Sequence, residues 1–174
     1  DPNHRRLHML AYSLGTSVAH DAMVAIHLLP EYRNRVGSGG VIWDTVTMVA
    51  NVGRLLQSRF PPAVGLTVDD VDVHKSAMLP GPAGPICRRY INVNHVIDPF
   101  AWIRPFDAEA AGWPGGRHTD IRVKGVRALG EVHDFDHYFA DPNFHFYLLD
   151  YMVEDATLGT TEELTKARTD YGKE

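Results

Sequence analysis

The segment Leu7-His8-Met9-Leu10-Ala11-Tyr12-Ser13-Leu14-Gly15 sets the frame for reading the chain. Leu7 to Tyr12 is a short, mostly apolar run that suits a buried strand of a parallel sheet. From Ser17 to Leu29, Val18, Ala22, Ala25, Ile26 and Leu29 recur every three or four residues, which predicts one helical face. Between strand and helix stands Ser13, at a turn too sharp for ordinary backbone unless its neighbours are small; Ala11 and Gly15, two positions either side, meet that need. A serine there has two uses. It can cap the helix, a common role for the residue, or it can present its hydroxyl as a nucleophile, with the Leu14 amide and the positive end of the helix dipole turned toward a developing oxyanion.

Working outward, Pro30 ends the helix, because the residue before proline is pushed out of the α region. Gly37 to Gly40 reads as a loop, Val41 to Val49 as a second strand, and Asn51 to Gln57 as helical. Phe60 to Pro85 is rich in proline, carries the acidic cluster Asp69-Asp70-Val71-Asp72, and reads as an irregular, lid-like surface excursion over 60–85. Arg89 to Val96 returns to strand character and stops at Ile97-Asp98-Pro99. Residues 100–118, with Trp102, Pro105, Trp113 and Pro114, read as a second loop-like insertion. Ile121 to Leu129 fits a last strand. Asn143 to Val153, with Phe144, Leu148, Leu149, Met152 and Val153 at helical spacing, fits a helix packed on the sheet, and Thr160 with Glu163 is a capping-box pattern for a short helix in the tail. Strands alternating with helices predict an α/β domain with a mostly parallel sheet flanked by helices.

A serine hydroxyl is a weak nucleophile at neutral pH and requires a histidine base oriented by a carboxylate. Asp98 follows the apolar strand Tyr90-Ile91-Asn92-Val93-Asn94 directly, at the carboxyl end where ligands gather in open α/β sheets; alone, it is equally a turn residue before Pro99. His133-Asp134-Phe135-Asp136-His137 lies further along and offers two candidate bases.

Two of these motifs, in this order, resemble the lipase-like branch of the α/β-hydrolases. Ala11-Tyr12-Ser13-Leu14-Gly15-Thr16-Ser17-Val18-Ala19 is similar to its nucleophile-elbow pattern GHSLGSxVA, with alanine in place of the first glycine. Ile91 to Ala101 is similar to its strand and acid turn, in which the Asp of an Asp-Pro pair is the acid. The resemblance implies the C-terminal half of an α/β-hydrolase fold, with Ser13 as nucleophile, Asp98 as acid, and the Leu14 amide as one oxyanion donor. His133 to Pro142 resembles the last catalytic loop, where a histidine shortly precedes an aromatic pair and a helix. His137, nearest that pair, is the favoured base, and His133 the alternative. Tyr12, Phe100 and Trp102 are the candidate substrate-binding residues.

The family's second oxyanion amide lies upstream of the elbow, whereas twelve residues precede Ser13 here. That leads to the expectation of an upstream half, or of association with such a half or with a second copy through an uncovered sheet edge. The implied substrate is a small-molecule or lipid ester; no metal or organic cofactor is implied. With 174 residues, 44% of them apolar, the chain can bury a single core. A formal charge of -5 without a basic cluster argues against nucleic acid as partner. No apolar run approaches the ~20 residues of a membrane span. Cys87, the one cysteine, allows no intrachain disulfide, so nothing ties the chain to an oxidising compartment and the cytoplasm is the default. Two rival readings remain: a hydrolase-derived interaction module without activity, and a metal-dependent hydrolase built on His133, Asp134, Asp136 and His137.

Overall fold

The computed structural model describes residues 7–31, 43–57, 87–103, 105–106, 118–124, 132–145, 148, 166 and 169. Within them four strands form one sheet: β1 (His8–Tyr12), β2 (Trp43–Val49), β3 (Cys87–His95) and β4 (His118–Val123), in the spatial order β1-β2-β3-β4. All three pairings are parallel, with Ala11 opposite Met48, Met48 opposite Asn92, and Asn92 opposite Asp120. The mostly parallel α/β sheet expected from the alternation of elements is therefore present. Helices accompany it, among them α1 (Leu14–Leu28), α2 (Gly53–Gln57), α3 (Pro99–Ile103) and α4 (Phe135–Phe139), and residues 142–145 are helical as well.

Because strand side chains alternate between faces, the sheet has two apolar layers. On one face Ala11, Val46, Met48 and Tyr90 pack against Ala19 and Met23 of α1 and against Phe106. On the other, Val49, Ile91, Val93, Ile121 and Val123 pack against Tyr138 of α4 and Phe144. Each fully buried aliphatic residue among them contributes roughly 1.5–3 kcal/mol to stability relative to exposure. The inner strands β2 and β3 are buried on both faces over most of their length, as continuous apolar runs in parallel sheets require. β1 departs from its reading as a buried strand: only Ala11 is buried, while Leu7 and Leu10 are 51% and 41% exposed, because β1 pairs on one side only among the described residues.

The α1 helix begins at Leu14, directly after the turn, and ends as the proline rule predicts, with Leu29 in extended backbone at ψ 120. Its buried face differs from the expected one. Thr16, Ala19, His20 and Met23 are buried, whereas Val18 is 63% exposed and Ala22 also faces outward. The face turns because two of its inward residues are polar and find partners. Thr16 Oγ1 accepts the Val52 amide at 3.1 Å, and His20 Nε2 lies 3.3 Å from the Tyr90 hydroxyl. That hydroxyl also accepts from Asn51 Nδ2 at 2.8 Å, and Asn51 Oδ1 accepts the Gly53 amide that opens α2 at 3.1 Å. Paired in this way, Thr16 Oγ1, the Asn51 amide and the Nε2 edge of His20 stay inside at a reduced penalty.

Gly53 stands against this cluster. A Cβ there would lie 2.8 Å from His20 Cδ2 and 3.2 Å from Asn51 Oδ1, and both partners are buried. Gly53→Ala is therefore expected to destabilise the fold by about 1–3 kcal/mol, the usual range for forced overpacking. Urea unfolding measures it, and an unchanged midpoint would show that the cluster yields freely.

The insertion read above over 100–118 opens instead in a helix, Pro99–Ile103. The cause is local: Asp98 Oδ1 accepts the Phe100 amide at 2.9 Å, in the manner of a capping residue, and Pro99 takes the first helical position, where its missing N–H costs nothing. The insertion at 60–85, residues 107–117, the Thr160–Glu163 pattern and most of the helix expected over 143–153 lie outside the described residues.

Candidate active site

In a parallel sheet every strand delivers its carboxyl end to the same edge. Ser13 follows β1 immediately, Asp98 stands three residues beyond β3, and His133 lies between β4 and α4. Residues 120 positions apart in sequence thereby meet.

Ser13 sits at φ 49, ψ −122, a conformation that costs a residue with a side chain about 1–3 kcal/mol. The surrounding hydrogen bonds hold it there. Its amide donates to the Val49 carbonyl at 3.0 Å, extending the β1–β2 ladder past the strand. Its carbonyl accepts both the amide and the hydroxyl of Thr16, at 2.9 and 2.6 Å. Thr16 in turn takes the Val52 amide, so the turn is tied to the segment leaving β2. Ser13 precedes the helix yet makes no side-chain capping bond, which removes the helix-capping reading of its hydroxyl. Ala11 is buried in the core, as a close strand-to-helix approach demands. Gly15 does not follow that logic: a Cβ there would meet no atom within 4 Å, so steric crowding does not account for its glycine.

The Ser13 hydroxyl lies 2.6 Å from His133 Nε2. His133 Nδ1 lies 2.6 Å from Asp98 Oδ2. The carboxylate thus selects the tautomer with the proton on Nδ1, leaving Nε2 as the acceptor facing the serine. Asp98 is fully buried, and its oxygens receive three donors: the Phe100 amide on Oδ1, and His133 and the Tyr138 hydroxyl (2.6 Å) on Oδ2. The His133 side chain remains 27% accessible, so its outer edge is open to water or to a ligand.

His137, the favoured base on sequence grounds, does not occupy this position. It is a buried residue of α4 whose amide donates to the Asp134 carbonyl at 3.1 Å, and the imidazole joined to Ser13 and Asp98 is that of His133. The helix starts at Phe135, with Asp134 as its cap residue, so position 133 is in the preceding turn at the strand edge while position 137 has already turned inward. The local signal was present, since an aspartate before an aromatic-rich stretch marks a helix start.

Of the candidate substrate-binding residues, Phe100 is half-exposed and its ring lies 4.9 Å from the His133 ring, so it borders the site. Tyr12 braces it instead: its hydroxyl donates to the His133 carbonyl, and its ring packs edge-on to Phe135 at 5.0 Å. Partial burial, then the charges of Asp134 and Asp98, push the Tyr12 phenol above its ordinary ionisation range, which keeps it a donor. Trp102 lies in α3. Exposed Leu14 and Val18 on α1, together with Phe100 and Ile103 on α3, give the elements that carry Ser13 and Asp98 an apolar outer surface. As the first residue of α1, Leu14 has no carbonyl a turn earlier to receive its N–H, which leaves that amide available beside Ser13. Tyr138 was passed over in the sequence except as one of an aromatic pair, and no local pattern signals its bond to Asp98.

His133, Asp134, Asp136 and His137 do not converge. Asp134 and Asp136 are exposed, and among the described residues no group of three or more His, Cys, Asp or Glu side chains is placed to hold a metal ion. Cys87 is buried at the start of β3 and free of disulfide. No helix among the described residues is long and apolar enough to cross a membrane. The chain matches no family model, no curated protein and no solved structure.

Proposed function

We propose that this protein is a serine hydrolase of the α/β-hydrolase kind that cleaves carboxylic or lipid esters through an acyl-enzyme, with Ser13 as nucleophile, His133 as base and Asp98 as acid. The observation that carries the reading is the continuous hydrogen-bonded line from Ser13 Oγ through both nitrogens of His133 to Asp98 Oδ2, 2.6 Å at each step. A strained serine at a strand-to-helix turn supports it, because strain of this kind persists where the surroundings over-determine it and clusters at functional sites.

In this mechanism Ser13 Oγ attacks the ester carbonyl as His133 Nε2 takes its proton. The carboxylate of Asp98 holds the resulting imidazolium through Nδ1–H, and the Leu14 N–H donates to the oxyanion. Collapse of the tetrahedral species breaks the carbon–oxygen bond to the alcohol, which leaves with the proton returned by Nε2. Water, deprotonated by the same nitrogen, then releases the acid and regenerates Ser13.

A fluorophosphonate probe tests the reading directly. The folded protein is expected to be labelled at Ser13, identified by mass spectrometry of the modified peptide, and denaturation before probe addition should prevent labelling. A folded protein that takes up no label would leave the interaction-module reading in its place.

A further inference from the structure

We infer that Tyr138 is a positioning residue of this site: its buried hydroxyl shares Asp98 Oδ2 with His133 and thereby sets both the orientation and the acceptor strength of the carboxylate that steadies the base. The inference rests on the serine-hydrolase reading for its catalytic meaning, but its physical content is the Tyr138–Asp98–His133 linkage itself.

Asp98 is fully buried, and a carboxylate removed from water requires donors to remain charged. With only the Phe100 amide on Oδ1, the carboxylate could pivot about that bond, and Oδ2 would direct its whole charge at His133. The second donor on Oδ2 prevents both. Tyr138 OH reaches Oδ2 at 2.6 Å, and the phenol oxygen itself accepts the amide of His95, the last residue of β3, at 3.1 Å. A hydroxyl has one proton; accepting from His95 leaves that proton for Asp98. The ring is equally constrained. Tyr138 is wholly buried, edge-on to His95 at 6.0 Å and to Tyr12 at 6.4 Å. Burial first, and then the bond to Asp98 and its charge, push the phenol well above its ordinary ionisation range, so it stays a donor wherever the fold persists. A line therefore runs from the β3 backbone through Tyr138, Asp98 and His133 to Ser13, and it fixes the carboxylate against the sheet.

The test replaces Tyr138 by Phe, which keeps the ring and deletes the donor. Because Tyr138 is wholly buried, KM for a short-chain ester should hold while kcat falls about tenfold to a hundredfold, the scale of one hydrogen bond to a charged group. The discriminating signal is the low-field NMR resonance of the His133 Nδ1 proton, assigned through its loss in His133→Ala. Freed of the phenol, Oδ2 becomes the stronger acceptor, and the resonance should move further downfield. A purely structural role would lower the folded fraction and leave the resonance of the remaining folded protein in place; an unmoved resonance overturns the inference. If Tyr138→Phe does not fold, 3-fluorotyrosine at position 138 keeps the hydroxyl and strengthens it as a donor. The resonance should then move upfield, and no movement again overturns the claim. Were the parent protein to take no fluorophosphonate, the hydrolase reading would fall while the resonance still decided the linkage.

Discussion

Ser13→Ala is expected to lower ester turnover by roughly 10⁵–10⁶-fold and to abolish fluorophosphonate labelling, the scale seen when a nucleophile that works as one unit with its base is removed. The fold should hardly respond. The Ser13 hydroxyl caps no helix amide, and the bonds that hold the turn come from its backbone: the amide to Val49 and the carbonyl to Thr16. Alanine preserves all of them, so the unfolding free energy should change by less than about 0.5 kcal/mol, against roughly 1 kcal/mol for loss of a true cap. Chemistry and stability are thus separable at this position. Steady-state ester hydrolysis and urea unfolding on the same preparation measure the two. Retained turnover would remove Ser13 as nucleophile, and a large drop in stability would restore the capping role.

The second large effect is a contrast between two histidines four positions apart. His133→Ala should cost about 10⁴–10⁶-fold in kcat, since Nε2 is the group 2.6 Å from the serine. Some stability should be lost as well, because the buried Asp98 carboxylate gives up one of its three donors and keeps the Phe100 amide and the Tyr138 hydroxyl. His137→Ala should cost stability without costing chemistry. It removes a buried side chain from α4, at about 1–3 kcal/mol of stability, while turnover per folded molecule stays within a few-fold. Measuring kcat below the melting range of both variants separates the two effects. If His137→Ala silenced the enzyme and His133→Ala did not, the hydrogen-bonded line from Ser13 to Asp98 would have no catalytic meaning.

How far these expectations were readable from residues alone differs between the parts of the molecule. The strand, sharp turn and helix around Ser13 were legible because each signal is short-range: an apolar run, small neighbours, helical spacing and a proline stop act over a few residues. The alternation of elements likewise sufficed for a parallel sheet, since consecutive parallel strands need crossover connections and helices supply them. Asp98 was visible as a residue at a strand's carboxyl end, and that edge is common to all strands once the sheet is parallel.

Other features had no local signature. Val18 and Ala22 fit the apolar rhythm of α1 as well as Met23 does, yet the buried face is the one carrying Thr16 and His20. Only their partners, Val52 from the segment after β2 and Tyr90 from β3, make burial of those polar groups favourable. The helix over Pro99–Ile103 was hidden beneath aromatic and proline residues that read as loop, although Asp98 and Pro99 hold its start.

By itself, then, the order of residues determined the class of sheet, the strained turn with its serine, and the aspartate that follows β3, because these depend on contacts spanning a few positions. Tertiary structure alone decided that His133 rather than His137 meets them, and that Tyr138 shares the carboxylate. Those choices depend on where α4 begins and how it lies against the sheet edge, and both are settled by packing between groups 35 to 120 residues apart.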